Sequence, residues 1–248
     1  MISLSWPQVN AWRLSRQYLL QRADRGKLLE AVSHLGGIQA QVISAAEMAL
    51  GARVEGLAPT EVQNALWRDR SLIKTWAMRG TLHLLASSDF PLYVAARSEQ
   101  LARVRHPPSY YQYHGVTPDE LEAIIANIPL VLTGEPMTRE QLASAIAERA
   151  GKPNLRAVLL SGWGALLKPS AQGGDLCFGP NQGQNVTFVR PAEWIGAWRG
   201  LEAGPALQEI ARRYLSAYGP AAPEDFARWW GTDAGPAKRL FRSLGDEL

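Results

Sequence analysis

The chain has 248 residues, 46% of them hydrophobic, with 26 Lys and Arg against 23 Asp and Glu for a net charge of +3. That length and apolar content can bury one large core or two to three small ones, and the mild basic bias suits a polyanionic partner without requiring one. The single Cys177 excludes an internal disulfide, and neither a signal peptide nor a membrane-length apolar run is present, so a cytoplasmic protein with no membrane partner is expected. Lysines are few (Lys27, Lys74, Lys152, Lys168 and Lys238) beside the many arginines. Forked guanidinium groups suit phosphates and base edges, although a GC-rich genome produces the same bias.

In chain order, Ser5 and Gln8 have the spacing of a capping box for a helix bearing Val9, Trp12 and Leu19. Leu28, Val32 and Leu35 then fall at helical spacing over 27–35, and Gly36-Gly37 supplies the stop. Ser44 and Glu47 form the next S-x-x-E box, so a helix is expected to begin at Ser44 and run toward Leu50. Between these helices lies Ile38-Gln39-Ala40-Gln41, a short connection in which extended residues two apart share a side. Two amides there can grip one water or one base edge, but amides do not titrate near neutral pH and cannot act as general bases. The alternative reading is a pair of loop amides that satisfy nearby backbone groups.

A helix over 60–67 follows, and the run 72–85 switches to strand-like content with Thr81 and His83 on one face and Leu82 and Leu84 on the other. Ser87-Ser88-Asp89 caps a helix reaching about Arg105. Arg97, Arg103, Arg105 and His106, then Tyr110, Tyr111 and Tyr113, make a basic and aromatic cluster suited to phosphates and bases, with a solvated helix face and tyrosine-rich loop as the plain alternative.

Thr117-Pro118-Asp119-Glu120 combines an N-cap, a proline at the first helical position and a glutamate at the third. Thr138 and Gln141 repeat the box, and 155–167 reads as the following helix, completing a helix-turn-helix. Residues 176–189 give two short strands around a polar loop with Gln182, Gln184 and Asn185, a hairpin wing whose tip can reach a groove or backbone. A third copy begins near Pro205 with helices over 207–218, 223–230 and 236–244, and its wing is missing. Trp229 and Trp230 read as core. The resulting boundaries are 1–115 for a first unit with the QxQ segment, 116–192 for a second unit with its wing, and 193–248 for a linker and the start of a third.

Three stretches in order, Gly36 to Gln41, Met78-Arg79-Gly80-Thr81-Leu82-His83-Leu84 and Arg213 to Gly231, resemble the AlkZ-type DNA glycosylases. The resemblance implies an α+β, predominantly helical fold of tandem winged-helix units, each a helix-turn-helix plus a β-hairpin wing. The implied activity is that of a monofunctional glycosylase that hydrolyses the N-glycosidic bond of N7- or N3-alkylated purines, with interstrand crosslinks unhooked by some members. The family usually continues past Leu248, so the chain is read as shortened. Gln39 and Gln41 are the implied catalytic pair, Thr81 and His83 supporting groups. Arg79, Arg97, Arg103, Arg105, His106, Tyr110, Tyr111, Gln182, Gln184 and Asn185 are the candidate DNA contacts. Some members carry aspartate at the second amide position, and Gln41 sets this chain with the crosslink-type branch.

A purine alkylated at N7 or N3 is cationic and leaves without a general acid, so the protein need only hold a water and stabilise oxocarbenium charge. No cofactor and no metal are expected, since no metal-ligand pattern or phosphate-binding glycine loop is present. The expected partner is double-stranded DNA containing alkylated purines, bound by a monomer associated with the nucleoid. The competing readings are a non-catalytic winged-helix DNA-binding protein or transcription regulator, which would dimerise on one operator sequence, and a structural interaction module.

Overall fold

Capping boxes set several of the helix starts. In the computed structural model, which describes residues 3–161 and 164–245, α1 (Trp6–Arg16) opens at Ser5, whose backbone N–H donates to Gln8 Oε1 at 2.8 Å. A 3₁₀ turn at Arg25–Lys27 precedes α2 (Leu28–His34). β1 (Ile38–Gln39) then leads into α3 (Ile43–Gly51), α4 (Pro59–Trp67), β2 (Leu72–Trp76) and β3 (Leu82–Ala86). The three strands lie in the order β1-β3-β2, with β1 antiparallel to β3.

α5 (Phe90–Arg103) and the short α6 (Pro108–His114) carry the chain to the second copy. There α7 (Pro118–Val131) begins at the foreseen capping box, with Glu120 N–H donating to Thr117 Oγ1 at 3.2 Å. β4 (Met137–Thr138), α8 (Arg139–Arg149), α9 (Asn154–Leu160), α10 (Lys168–Gly173), β5 (Cys177–Gln182) and β6 (Asn185–Val189) follow. The strand order is β4-β6-β5. The two copies thus share one plan of helix, short strand, further helices and a hairpin, with the short strand beside the last strand in each and α10 an addition in the second. After α11 (Pro191–Trp194), the third copy supplies α12 (Ala203–Tyr218), α13 (Pro223–Trp230) and α14 (Ala234–Leu244). The fold is the predominantly helical α+β arrangement of tandem winged-helix units expected from the sequence.

Three expectations are corrected. The first helix ends at Arg16, and Leu19 lies beyond it because Tyr18, at φ +58°, turns the chain out of the helix. α3 begins at Ile43 rather than being capped by Ser44, because Val42 is the last extended residue and its carbonyl already accepts from Ala46 N–H at 3.3 Å. The helix expected over 155–167 stops at Leu160: Ser161 turns extended, Gly164 is left-handed, and only a 3₁₀ turn at Ala165–Leu167 resumes. Residues 162 and 163 of that span lie outside the described residues.

The chain divides into two compact units. One comprises Met1–Ile73, Ala77–Ala96 and Leu201–Leu248, so the first winged helix shares a unit with α12, α13 and α14; the other comprises Lys74–Trp76 and Arg97–Gly200. In the first, Val32, Leu35, Ile38, Ala40, Leu50, Leu66, Leu72 and Leu84 form one buried cluster. Each large aliphatic side chain there stabilises the fold by about 1.5–3 kcal/mol relative to exposure. In the second, Leu121, Ile124, Ile128, Leu142, Ile146, Leu155 and Phe188 are buried.

Candidate active site

The Gln39–Gln41 connection is held at both ends. At its start, Gly37 N–H donates to Val32 O at 2.9 Å and Gly36 N–H to Ser33 O at 3.1 Å, closing α2 through two residues at φ +68° and +94°. Only glycine takes this consecutive left-handed pair without strain. β1 then pairs with β3 in the register Ile38↔Leu84 and Gln39↔His83, and Ala40 N–H continues the ladder to Leu82 O at 2.7 Å. Burial alternates along it: Ile38 and Ala40 are in the core, whereas Gln39 and Gln41 are exposed on the opposite side. Neither side-chain amide hydrogen-bonds to another described residue.

His83, directly across from Gln39, shares its face of the sheet because antiparallel partners point the same way. It is only 4% exposed. Its Nδ1 lies 2.9 Å from Thr81 O, and a carbonyl can only accept, so the proton sits on Nδ1 and Nε2 keeps its lone pair. Burial, reinforced by the charge of Arg79, holds the imidazole pKa down to about 4 against the Thr81 hydrogen bond, which leaves it neutral at pH 7. Thr81 Oγ1 donates to Met78 O at 3.0 Å, closing the 3₁₀ turn Met78–Gly80. β3 is buried on both faces.

Groups distant in sequence pack behind the connection within the same unit. Tyr218 of α12 donates its hydroxyl to Leu35 O at 2.8 Å. A Cβ at Gly36 would meet the Trp229 ring at 2.9 Å. Arg79, itself at φ +56°, donates from Nη1 to Trp229 O at 3.0 Å. Trp229 of α13 therefore touches both chain segments, the one before Gln39 and the one before Thr81.

The remaining candidates sit in the other unit. Arg97 is buried, donates to Gln100 Oε1 at 2.8 Å and has its pKa lowered to about 10 by desolvation, which places it in the interior. Arg103 pairs with Glu99 at 2.8 Å, and Arg105 donates to Ala102 O and Val104 O at the end of α5. The aromatic part of the cluster is assembled on α6. His106 stacks on Tyr110 at 3.8 Å between centroids, and Tyr110 meets Tyr111 and His114 edge-on at 5.7 and 4.4 Å. Partial burial and the neighbouring His114 lower the His106 pKa. At the wing, Gln182 and Asn185 pair across the two-residue turn Gly183-Gln184, and all four are exposed. Gln182 Nε2 donates to Pro136 O at 3.1 Å.

The sequence reading missed Arg13, Tyr214 and Tyr218, and it took Trp229 for core. Trp229 is half-buried and, with Tyr214, Tyr218 and Arg79, lines a cleft. The available signal was the i, i+4 spacing of Tyr214 and Tyr218, which puts both rings on one face of α12. Among the described residues, no group of three or more His, Cys, Asp or Glu is placed to hold a metal ion, and no helix is long and apolar enough to cross a membrane.

Comparison with known proteins agrees with the architecture. The family described as DNA glycosylase AlkZ-like matches residues 32–248. An interstrand DNA cross-link repair glycosylase of Streptomyces sahachiroi is 38% identical over 249 aligned positions, which cover 98% of this chain and 66% of that protein. The chain therefore spans slightly less than two thirds of that relative's length. The structure of Streptomyces sahachiroi DNA glycosylase AlkZ matches with a TM-score of 0.89 and 36% identity, over 100% of this chain and 67% of that one. With a family match over most of its length, a relative 38% identical and the same fold, the chain belongs to the AlkZ-like DNA glycosylase family.

Proposed function

We propose that the protein is a monofunctional DNA glycosylase that hydrolyses the N-glycosidic bond of N7- or N3-alkylated purines in double-stranded DNA, with interstrand crosslinks through such positions as a second substrate. The observation that carries this reading is the pair of exposed amides on one side of a rigid connection, neither used internally. An amide used only to hold structure would be engaged by neighbours.

The alkylated base is cationic and departs without protonation, so the protein's task is to present water to the anomeric carbon and stabilise the developing positive charge. Each amide supplies a carbonyl oxygen that can accept from the water and an NH₂ that can donate to a phosphate or sugar oxygen. A carboxylate is not needed: the C–N bond breaks as the base leaves neutral, the water oxygen bonds to the anomeric carbon, and the proton it sheds passes to solvent. His83, neutral and held by Thr81, supports the strand that carries Gln39. The exposed wing tip at Gln182, Gln184 and Asn185, the α6 rings and Arg79, Arg103 and Arg105 are the surfaces assigned to DNA contact. Arg97 supports α5 from within. The family relative of Streptomyces sahachiroi, described as a cross-link repair glycosylase, supports the same chemistry.

The test is incubation with duplexes containing a single N7-methylguanine and, separately, an N7-linked interstrand crosslink, with chromatographic detection of free base and of unhooked strands. Release of N7-methylguanine at the lesion alone is expected. High affinity for one undamaged sequence without base release would replace this reading with that of a regulator.

A further inference from the structure

Within the first unit, residues of α1, the Met78–Gly80 turn, α12 and α13 line an open cleft of about 460 Å³, a size suited to a small ligand. Its cations are Arg13, Arg79 and Arg228, and its one lining carboxylate is Asp225, which pairs with Arg228. The walls are aromatic: Tyr214 lies 5.0 Å from Trp229 and 5.4 Å from Tyr218 between ring centroids. Arg13 spends Nη2 on Pro220 O at 2.7 Å, while its Nε is buried with no acceptor among the described residues. A surplus of guanidinium over carboxylate and a ring wall suit a ligand that is anionic at one end and planar at the other.

We propose that this cleft is a nucleotide subsite, with a phosphate on Arg13 and Arg228 and a base against Tyr214 and Trp229. Two sources share that chemistry, a nucleotide of a DNA strand and a free mononucleotide. For the strand, the inference rests on the glycosylase reading and deepens it. Trp229 packs on Gly36, three residues before Gln39 in the chain, so one ring belongs both to the cleft wall and to the packing of the connection that carries the amides. Arg79 then holds Trp229 in place through its carbonyl.

The experiment measures binding alone. An uncleavable duplex with a tetrahydrofuran abasic site is prepared with one phosphate at a time neutralised as methylphosphonate, and its affinity is measured for wild type, Arg13→Gln and Arg228→Gln. For a strand nucleotide, one linkage should weaken wild-type binding by about tenfold, while both variants lose most of that sensitivity at that linkage only, as expected for one charge-assisted contact. A second arm titrates wild type and both variants with dGMP and with deoxyguanosine by calorimetry. Saturable dGMP binding that both variants weaken and deoxyguanosine does not reproduce supports the free-nucleotide source. Equal sensitivity of all three proteins at every linkage, together with no dGMP binding, overturns the subsite. Arg228 is exposed and remote from the core, so Arg228→Gln keeps the test readable should Arg13→Gln lose stability. Wild type that binds these probes but releases no N7-methylguanine would count against the glycosylase reading and leave the subsite standing.

Discussion

Gln39→Ala or Gln41→Ala removes an amide that no described neighbour uses, so chemistry and folding should separate. Loss of a preorganised hydrogen-bonding group costs about 3 kcal/mol in the transition state, so base release should fall roughly a hundredfold for the more important amide. Melting temperature and affinity for undamaged DNA should stay near wild type. Single-turnover excision of N7-methylguanine, run beside thermal unfolding, reads both quantities, and wild-type rates in two folded variants would remove the amides from the mechanism. His83 makes a different forecast. Its folded pKa of about 4 lies below the ordinary 6.5, so between these values the unfolded chain binds the extra proton. Stability from this group is therefore complete above about pH 6.5 and falls as pH drops toward 4, by up to roughly 3 kcal/mol. His83→Gln should flatten that part of the pH–stability curve, measurable by urea unfolding between about pH 4 and 7; an unchanged slope would mean that the imidazole is not desolvated.

At the scale of elements, the connection between α2 and α3 depends on partners the local sequence does not contain. Tyr218→Phe leaves Leu35 O without its donor and should cost about 1–3 kcal/mol if that carbonyl stays buried. Displacement of the strand should also lower base release per folded molecule by about tenfold with substrate affinity largely kept, a split that mere loss of stability would not produce. Gly36→Ala should be more severe. It adds a Cβ at φ +68° where the Trp229 ring stands 2.9 Å away, and a fall in stability of about 2 kcal/mol or more is expected by calorimetry. Capping boxes at Ser5, Thr117 and Thr138 were legible because their partners lie three residues away. The Ser44 box failed because pairing of Ala40 with Leu82 had already fixed where the chain turns. The break after Leu160 was hidden by apolar residues that continue on both sides of it.

At the scale of the molecule, the repeated plan and the amide pair could be read from the sequence, whereas the cleft of Arg13, Tyr214 and Trp229 could not, since its residues come from opposite ends of the chain. Nor did chain order reveal that α12, α13 and α14 belong with the first winged helix. A net charge of +3 is small, so binding to undamaged duplex should depend on local arginines and still be electrostatic. Affinity measured by fluorescence anisotropy is expected to fall by roughly two to three orders of magnitude between ~50 and ~200 mM salt. A flat titration would point to a partner other than a polyanion.

The discontinuous first unit also has a consequence for synthesis on the ribosome. Residues 97–200 emerge as a consecutive block able to fold as soon as they clear the exit tunnel, while the segment bearing Gln39 and Gln41, though made earlier, must wait for Leu201–Leu248. Until then Leu35 lacks the Tyr218 hydroxyl and Gly36 lacks the Trp229 ring. A chain terminated before Tyr218 would therefore carry both glutamines without the packing that sets their direction, and translation would have to pass Trp229 before the amides acquire a fixed aim.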